Sequence, residues 1–243
     1  MKNINKRLLM IVLKPHQKEC VAACEANNYG TCTDTCGSGK SYVECELIYR
    51  LFDQNQNIAC YGGHRLDLID QQFNSLVRYG MNREGRHYQY NTNQRDFEIL
   101  EVSSAERGSH DHTTTIDEIV AAIESANRRN ANLLIYFCYA SAERLYKAFE
   151  RSGIKADLTI MDEAHYGQAS INEAEEAFNR HLFRNISDRM YFFTATPTEL
   201  TLRYQGLETM PVIHSYNYGD ALADGNVLPF TVHWMVDKTT TNT

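Results

Sequence analysis

The chain has 243 residues, 43% of them hydrophobic, which is enough for one substantial core and, by default, one domain. Its 31 acidic against 24 basic residues leave a net charge of −7, which excludes a protein held to phosphate backbones by bulk positive charge; any nucleic-acid contact must be local, in a groove. Seven scattered cysteines do not match a small disulfide scaffold, and no stretch approaches the ~20 apolar residues of a membrane helix, so a soluble, intracellular, cytoplasmic protein with no membrane partner is expected.

The apolar run Leu8 to Leu13 follows Lys6 and Arg7 but is too short for a targeting segment and stops at Lys14-Pro15, after which a polar helix start is expected. Next comes "DTCGSGKS", Asp34 to Ser41. Its small residues let backbone N–H groups face an anion, Lys40 can reach outer phosphates, and the Ser41 hydroxyl suits magnesium. The pattern fails at Asp34, where G-x-x-x-x-G-K-[ST] wants its first glycine, and alone it is evenly divided between a phosphate loop and a plain turn and cap. A helix follows, with Val43, Leu47, Ile48, Leu51 and Phe52 on one face and Glu44, Glu46 and Arg50 available to the other. Its N-terminus would add partial positive charge beside the phosphates.

"NIACY" reads as a strand, and Leu66, Ile69, Phe73, Leu76 and Val77 repeat at helical spacing and stop near Gly80. Met81 to Gln94 is polar and reads as loop or edge strand, "FEILEV" as a strand, and "RGSHDHTTT" as a polar connection whose His110, Asp111 and His112 are assigned no role. Thr115 with Glu118 makes a capping box opening a helix through Ile119, Val120 and Ile123 toward Arg128-Arg129-Asn130. "NLLIYFCY" is a buried strand, and Ala142 to Arg151 a helix ended by Gly153. "LTIM" and "MYFF" are short strands delivering Asp162 and Thr194 at their carboxyl ends, where open parallel sheets bind ligands, and the final "KTTTNT" holds nothing to build a core. Helices and strands taking turns predict an α/β domain with a largely parallel sheet.

In "LTIMDEAHYG" two carboxylates stand side by side: Asp162 suits magnesium, and Glu163 suits orienting and deprotonating an attacking water. An isolated D-E-x-H is more often a helix cap with solvated neighbours. Downstream of a Gly-Ser-Gly-Lys-Ser loop, that reading gives way.

With both features present, the sequence resembles the N-terminal RecA-like domain of the DEAH-type superfamily 2 helicases, the loop standing as motif I and "DEAH" as motif II. "YFFTATPTE" is similar to motif III, "LKPHQKECVAA" to the Q-type motif, "CYGGHRLDLIDQQF" to motif Ia, and "LLIYFCYASAERL" to the strand and turn before motif II. "TTTIDEI" also fits restriction-enzyme-like and large-virus or phage members, for which the cytoplasm would be that of a host cell, and "SYNYGDALADGNVLPF" is similar to the segment by which restriction-like helicases leave the first domain and enter the second.

The resemblance implies an α/β, RecA-like P-loop NTPase domain, its mostly parallel sheet covered by helices on both faces. That domain would span 13–225, after a lead-in of 1–12 and before 226–243 as the start of a linker. It implies ATP and Mg2+ as cofactors, nucleic acid as partner, with DNA ahead of RNA, and a second RecA-like domain in cis or trans. Lys40, Asp162 and Glu163 would be catalytic, and Gln17 would read the adenine edge while Thr35, Cys36, Gly37, Ser38, Gly39, Lys40 and Ser41 form the ATP loop. Ser41 and Asp162 would hold the metal. His165, Thr194, Ala195 and Thr196 would couple nucleotide state to the strand, which Gly63, His64, Arg65, Tyr139 and Ser141 would contact.

Departures are Asp34, Thr35 and Cys36 at the loop's start, and the lack of anything after Thr196 that resembles motifs IV to VI. The rival reading is therefore a nucleotide- and nucleic-acid-binding module that turns over little unless completed by a second domain. A small-molecule P-loop kinase would leave "DEAH" and "TAT" without a job. None of the four prolines precedes an aspartate, so the Pro-Asp start of a restriction-type nuclease core is missing. Cys20, Cys24, Cys32 and Cys36 make C-x3-C-x7-C-x3-C, a zinc-like spacing; with two on a helix and Cys36 in the phosphate loop, free thiols are the expectation.

Overall fold

The computed structural model describes residues 10–55, 57–90, 96–103, 111–166, 186–197 and 210–229. Expectations for most of the lead-in, the far end of the Met81–Gln94 segment, His110 and the C-terminal tail fall outside the described residues. Elements alternate along the chain: α1 (Pro15–Glu25), β1 (Tyr29–Asp34), α2 (Lys40–Asp53), β2 (Ile58–Gly63), α3 (Leu66–Asn82), β3 (Glu98–Val102) and β4 (Asp111–Thr113). Then follow α4 (Ile116–Arg129), β5 (Leu133–Cys138), a short 3-10 turn at Tyr139–Ser141, α5 (Ala142–Ser152), β6 (Leu158–Asp162), β7 (Met190–Thr194), β8 (Val212–Tyr216) and α6 (Tyr218–Ala223).

The strands form one eight-stranded sheet in the order β4-β3-β5-β2-β6-β7-β1-β8. Every pairing is parallel, so all strand carboxyl ends lie along one edge. Central strands are buried on both faces, which is why "IACYGG", "LLIYFC" and "MYFFT" read as continuous apolar runs without alternation. One apolar cluster packs α1, α2 and α3 against the sheet around Val43, Ile48, Tyr49 and Phe193. A second packs α4 and α5 on the other face around Ile123, Leu145 and Phe192. This is the α/β architecture the sequence leads one to expect.

Four local expectations are corrected. The polar face assigned to α2 is not solvated, since Glu44 is 0% and Glu46 7% exposed. The helix is covered by α1 on one side and α3 on the other, so both carboxylates lie inside. Glu46 is held there by Arg83 Nε at 3.1 Å and the Tyr79 hydroxyl at 2.9 Å. Second, α3 continues through Gly80 to Asn82. Gly80 is small because the Tyr49 ring lies against it, and a Cβ there would meet the Tyr49 hydroxyl at 2.2 Å.

Third, part of the polar connection, Asp111–Thr113, adds an edge strand to β3. Fourth, the Thr115–Glu118 capping box does not form. Thr115 is the N-cap without a side-chain cap bond; the Thr113 hydroxyl instead donates to Glu118 and accepts the Thr115 N–H at 2.9 Å.

Candidate functional site

The loop between β1 and α2 curls back over the start of α2 because Gly37 (φ +80°) and Gly39 (φ +88°) take left-handed backbone conformations. Gly39 is the N-cap of α2, so the helix begins at Lys40 and directs its free N–H groups into the curl. Lys40 Nζ arches over the loop and donates to the carbonyls of Asp34 at 3.1 Å and Thr35 at 3.4 Å.

Helix α1 braces this loop from behind. Gln17 Oε1 accepts the Lys14 N–H at 2.8 Å, and Gln17 Nε2 donates to the carbonyls of Ser38 at 3.2 Å and Gly39 at 3.1 Å. His16 Nε2 donates to the same Ser38 carbonyl at 3.0 Å and its ring stacks on Tyr216, centroids 4.0 Å apart. Gln17 is 3% exposed. In this structure it shapes the phosphate loop, a job its expected adenine contact did not suggest. Cys36 is exposed.

Asp34 lies inside the fold. Its carboxylate is 1% exposed and accepts from His214 Nδ1, on the edge strand β8, at 2.8 Å. The Thr35 N–H donates to the Tyr216 carbonyl at 2.9 Å, so β8 and the loop are tied together twice. The residue that breaks the glycine pattern is therefore an anchor. Nothing local in the sequence pairs Asp34 with His214.

Asp162 and Glu163 lie at the end of β6, and β7 alone separates β6 from β1. Two strand spacings put the carboxylates about 10 Å across the sheet edge from the loop's strand. Glu163 has φ +50°, an uncommon conformation for a residue other than glycine. Such strain costs on the order of 1–3 kcal/mol and persists where its surroundings impose it, typically at functional sites. The Glu163 N–H donates to Asp162 Oδ1 at 2.8 Å and the Tyr61 hydroxyl to Asp162 Oδ2 at 3.0 Å.

Tyr61 also lies 3.3 Å from Glu44 Oε2, which accepts from Gln72 Nε2 at 3.0 Å. Burial, and then the nearby Asp162 carboxylate, hold Glu44 well above the usual carboxylate range. Burial likewise pushes the Tyr61 phenol up, with Asp162 next in effect. Glu44, Tyr61 and Gln72 thus link the loop's helix to the carboxylate. Periodicity missed them because it placed Glu44 outside.

His165 Nδ1 lies 2.8 Å from Thr194 Oγ1 and 3.5 Å from Glu163 Oε2, and Thr194 Oγ1 accepts the Thr196 N–H at 3.1 Å. The expected coupling residues His165, Thr194 and Thr196 are therefore in contact, with Ala195 in the same turn. Of the expected strand-contacting residues, His64 stacks on Tyr166 at 4.0 Å, and Tyr166 in turn lies 4.1 Å from the His165 ring. Burial and then Arg65 lower the His64 pKa.

Arg65 is largely exposed and pairs with Asp67 at 3.1 Å, while Gly63 at the end of β2 sits close to Ile69. The Tyr139 hydroxyl donates to the Asp162 carbonyl. Ser141, the N-cap of α5, is buried at 5% exposure.

Residues 10–199 match the family model described as type III restriction enzyme, res subunit. Among solved structures, the chain is similar to a nuclease-deletion mutant of the Type ISP restriction-modification enzyme LlaGI in complex with a DNA substrate mimic. That likeness has 16% identity, a TM-score of 0.63, and covers 89% of this chain and 21% of that one. It is similar to the ATP-dependent Type ISP restriction-modification enzyme LlaBIII bound to DNA, at 17% identity, TM-score 0.64, 89% of this chain and 16% of that one. The Pyrococcus furiosus Hef helicase domain aligns at 14% identity and TM-score 0.52, over 87% of this chain and 40% of that one. The chain therefore spans less than half the length of each, and at these identities the likeness shows the fold. No curated protein matches it.

Proposed function

The chain belongs to the type III restriction enzyme res subunit family, as an N-terminal RecA-like domain of the superfamily 2 helicase kind, and from that premise we propose that it binds and hydrolyses Mg-ATP and couples hydrolysis to movement on DNA. The observation that carries the reading is the placement of the Lys40 loop after β1 and of Asp162 and Glu163 after β6, with only β7 between the two strands and Glu44 and Tyr61 bridging them. DNA is preferred over RNA because two structural neighbours, LlaGI and LlaBIII, were solved with DNA or a mimic of it.

In this reading the N–H groups of Gly37 to Gly39 cradle the phosphates, and the Lys40 ammonium exchanges the Asp34 and Thr35 carbonyls for the outer phosphates. Glu163 orients the attacking water and accepts its proton. The Ser41 hydroxyl and Asp162 carboxylate are hard oxygen donors of the type magnesium takes, and buried Glu44 Oε1 beside them lacks a hydrogen-bond partner among the described residues. Those two residues would hold the ion, which supplies charge neutralisation to the phosphates. His165, hydrogen-bonded to Thr194 and adjoining the Tyr166–His64 stack, carries nucleotide state toward the strand bound near His64 and Arg65. A second RecA-like domain, in cis or trans, would complete the site.

ATP turnover with and without single- and double-stranded DNA tests this, for the wild type and for Glu163→Gln. DNA-stimulated turnover that falls at least ~100-fold in the variant, with ATP still bound, is the expected result. Tight ATP binding without turnover in the wild type would support instead a nucleotide-binding module that needs a partner. Phosphate appearing on a small acceptor would overturn both.

A further inference from the structure

The structure assigns a closed zinc site to Cys20, Cys24, Cys32 and His214, behind the phosphate loop. Cys20 and Cys24 are one helical turn apart on α1 and face β1, where Cys32 points back at them. The three sulfurs lie within 4.8 Å of one another, and so do Cys20 Sγ, a His214 ring nitrogen and an Asp34 carboxylate oxygen. All three cysteines are 0% exposed.

The Cys24–Cys32 sulfur separation is 3.6 Å. Two thiolates bound at ~2.3 Å to a tetrahedral zinc stand about 3.8 Å apart, so these two sulfurs need little movement to admit the ion, while His214, clustered with Cys20 and Asp34, would shift toward the other two. Three thiols with one imidazole are a donor set for zinc and a poor one for magnesium or calcium.

The fourth position is what the sequence pattern misassigns. C-x3-C-x7-C-x3-C offers Cys36, but Cys36 is exposed on the phosphate loop, and β8 brings His214 to the cluster instead. The pairing of β1 with β8 sets Cys32 opposite His214 in register. His214 Nδ1 is held by the buried Asp34 carboxylate at 2.8 Å. A carboxylate on one imidazole nitrogen fixes the tautomer that offers the other nitrogen to a metal, as in carboxylate–histidine–zinc arrangements. The inward burial of a polar His–Asp pair beside three thiols thereby gains a single explanation.

With four protein ligands and no open face the site is structural. It would pin α1, whose His16 and Gln17 brace the loop, to β1, which leads into the loop, and to the edge strand β8. Zinc takes thiolates and a neutral imidazole, so binding displaces the protons these ligands hold and affinity falls with acid.

The 243-residue chain, purified without a metal-binding tag, should carry one zinc per chain by elemental mass spectrometry. Cobalt replacing it should show thiolate charge-transfer and tetrahedral ligand-field absorption. Cys24→Ser and Cys32→Ser should lose the metal, Cys36→Ser and Cys60→Ser should keep it, and Asp34→Asn should weaken zinc binding about 10–100-fold. The cobalt spectrum of the wild type needs no variant to fold. Three results would overturn the site: a wild type that takes up less than about a tenth of an equivalent after incubation with zinc, a Cys36→Ser protein that loses metal as Cys24→Ser does, or a metal-free protein whose intact mass reveals a Cys24–Cys32 disulfide.

Discussion

Gly39→Ala isolates the brace between α1 and the phosphate loop. An alanine at φ +88° costs about 1 kcal/mol from its backbone conformation alone. Its Cβ would also stand 2.4 Å from Gln17 Nε2. Gln17 is buried and pinned by the Lys14 N–H, so moving its amide forfeits the bonds to the Ser38 and Gly39 carbonyls, at about 1 kcal/mol each. The sum is ~3 kcal/mol, which amounts to ~100-fold if the same loop geometry is needed to hold ATP.

Gly37→Ala is the control. Its φ is +80°, but its Cβ would meet only Val227 Cγ1, at 3.8 Å, leaving the backbone cost of ~1 kcal/mol. Urea unfolding of both variants should show Gly39→Ala the less stable by ~2 kcal/mol. In a Gln17→Ala background that difference should shrink to near zero, a coupling of ~2 kcal/mol in a double-mutant cycle. Equal destabilisation by the two glycine variants, or additivity with Gln17→Ala, would refute the brace.

Gly80→Ala should destabilise the protein by ~1–3 kcal/mol in the same urea assay. Overpacking against Tyr49 and loss of its 2.9 Å bond to the Leu76 carbonyl outweigh the ~1 kcal/mol that alanine gains over glycine in a helix. A Gly80→Ala protein more stable than the wild type would count against the Tyr49 contact. Thr194→Val keeps the strand but removes the hydroxyl that joins His165 to the Thr196 N–H. Basal ATP turnover should persist while stimulation by DNA falls about tenfold, a coupling of ~1–2 kcal/mol; undiminished stimulation would remove Thr194 from the relay.

The α/β class, the parallel sheet and the order of phosphate loop, carboxylates and hydroxyl turn were all legible in the chain. Each is a local pattern: apolar runs that end in polar residues, helical periodicity, and Gly-Ser-Gly-Lys-Ser leading into a helix. In a parallel sheet every strand delivers its following residues to one edge, so local patterns suffice to put Lys40, Asp162 and Thr194 on that edge, and the order β6-β7-β1 makes them neighbours there.

Periodicity knows only a residue's neighbours along its own helix, and so it could not see that α1 and α3 close over α2 and draw Glu44 and Glu46 inside. Gly80 read as a helix end because the ring that requires a glycine comes from Tyr49, on another helix. The cysteine spacing offers Cys36, yet only the pairing of β8 with β1 brings His214, with Asp34 behind it, to Cys20 beside Cys24 and Cys32. Contacts between residues far apart in sequence depend on which strands become neighbours. That order is chosen by the packing of the whole sheet, and no short stretch of the chain encodes it.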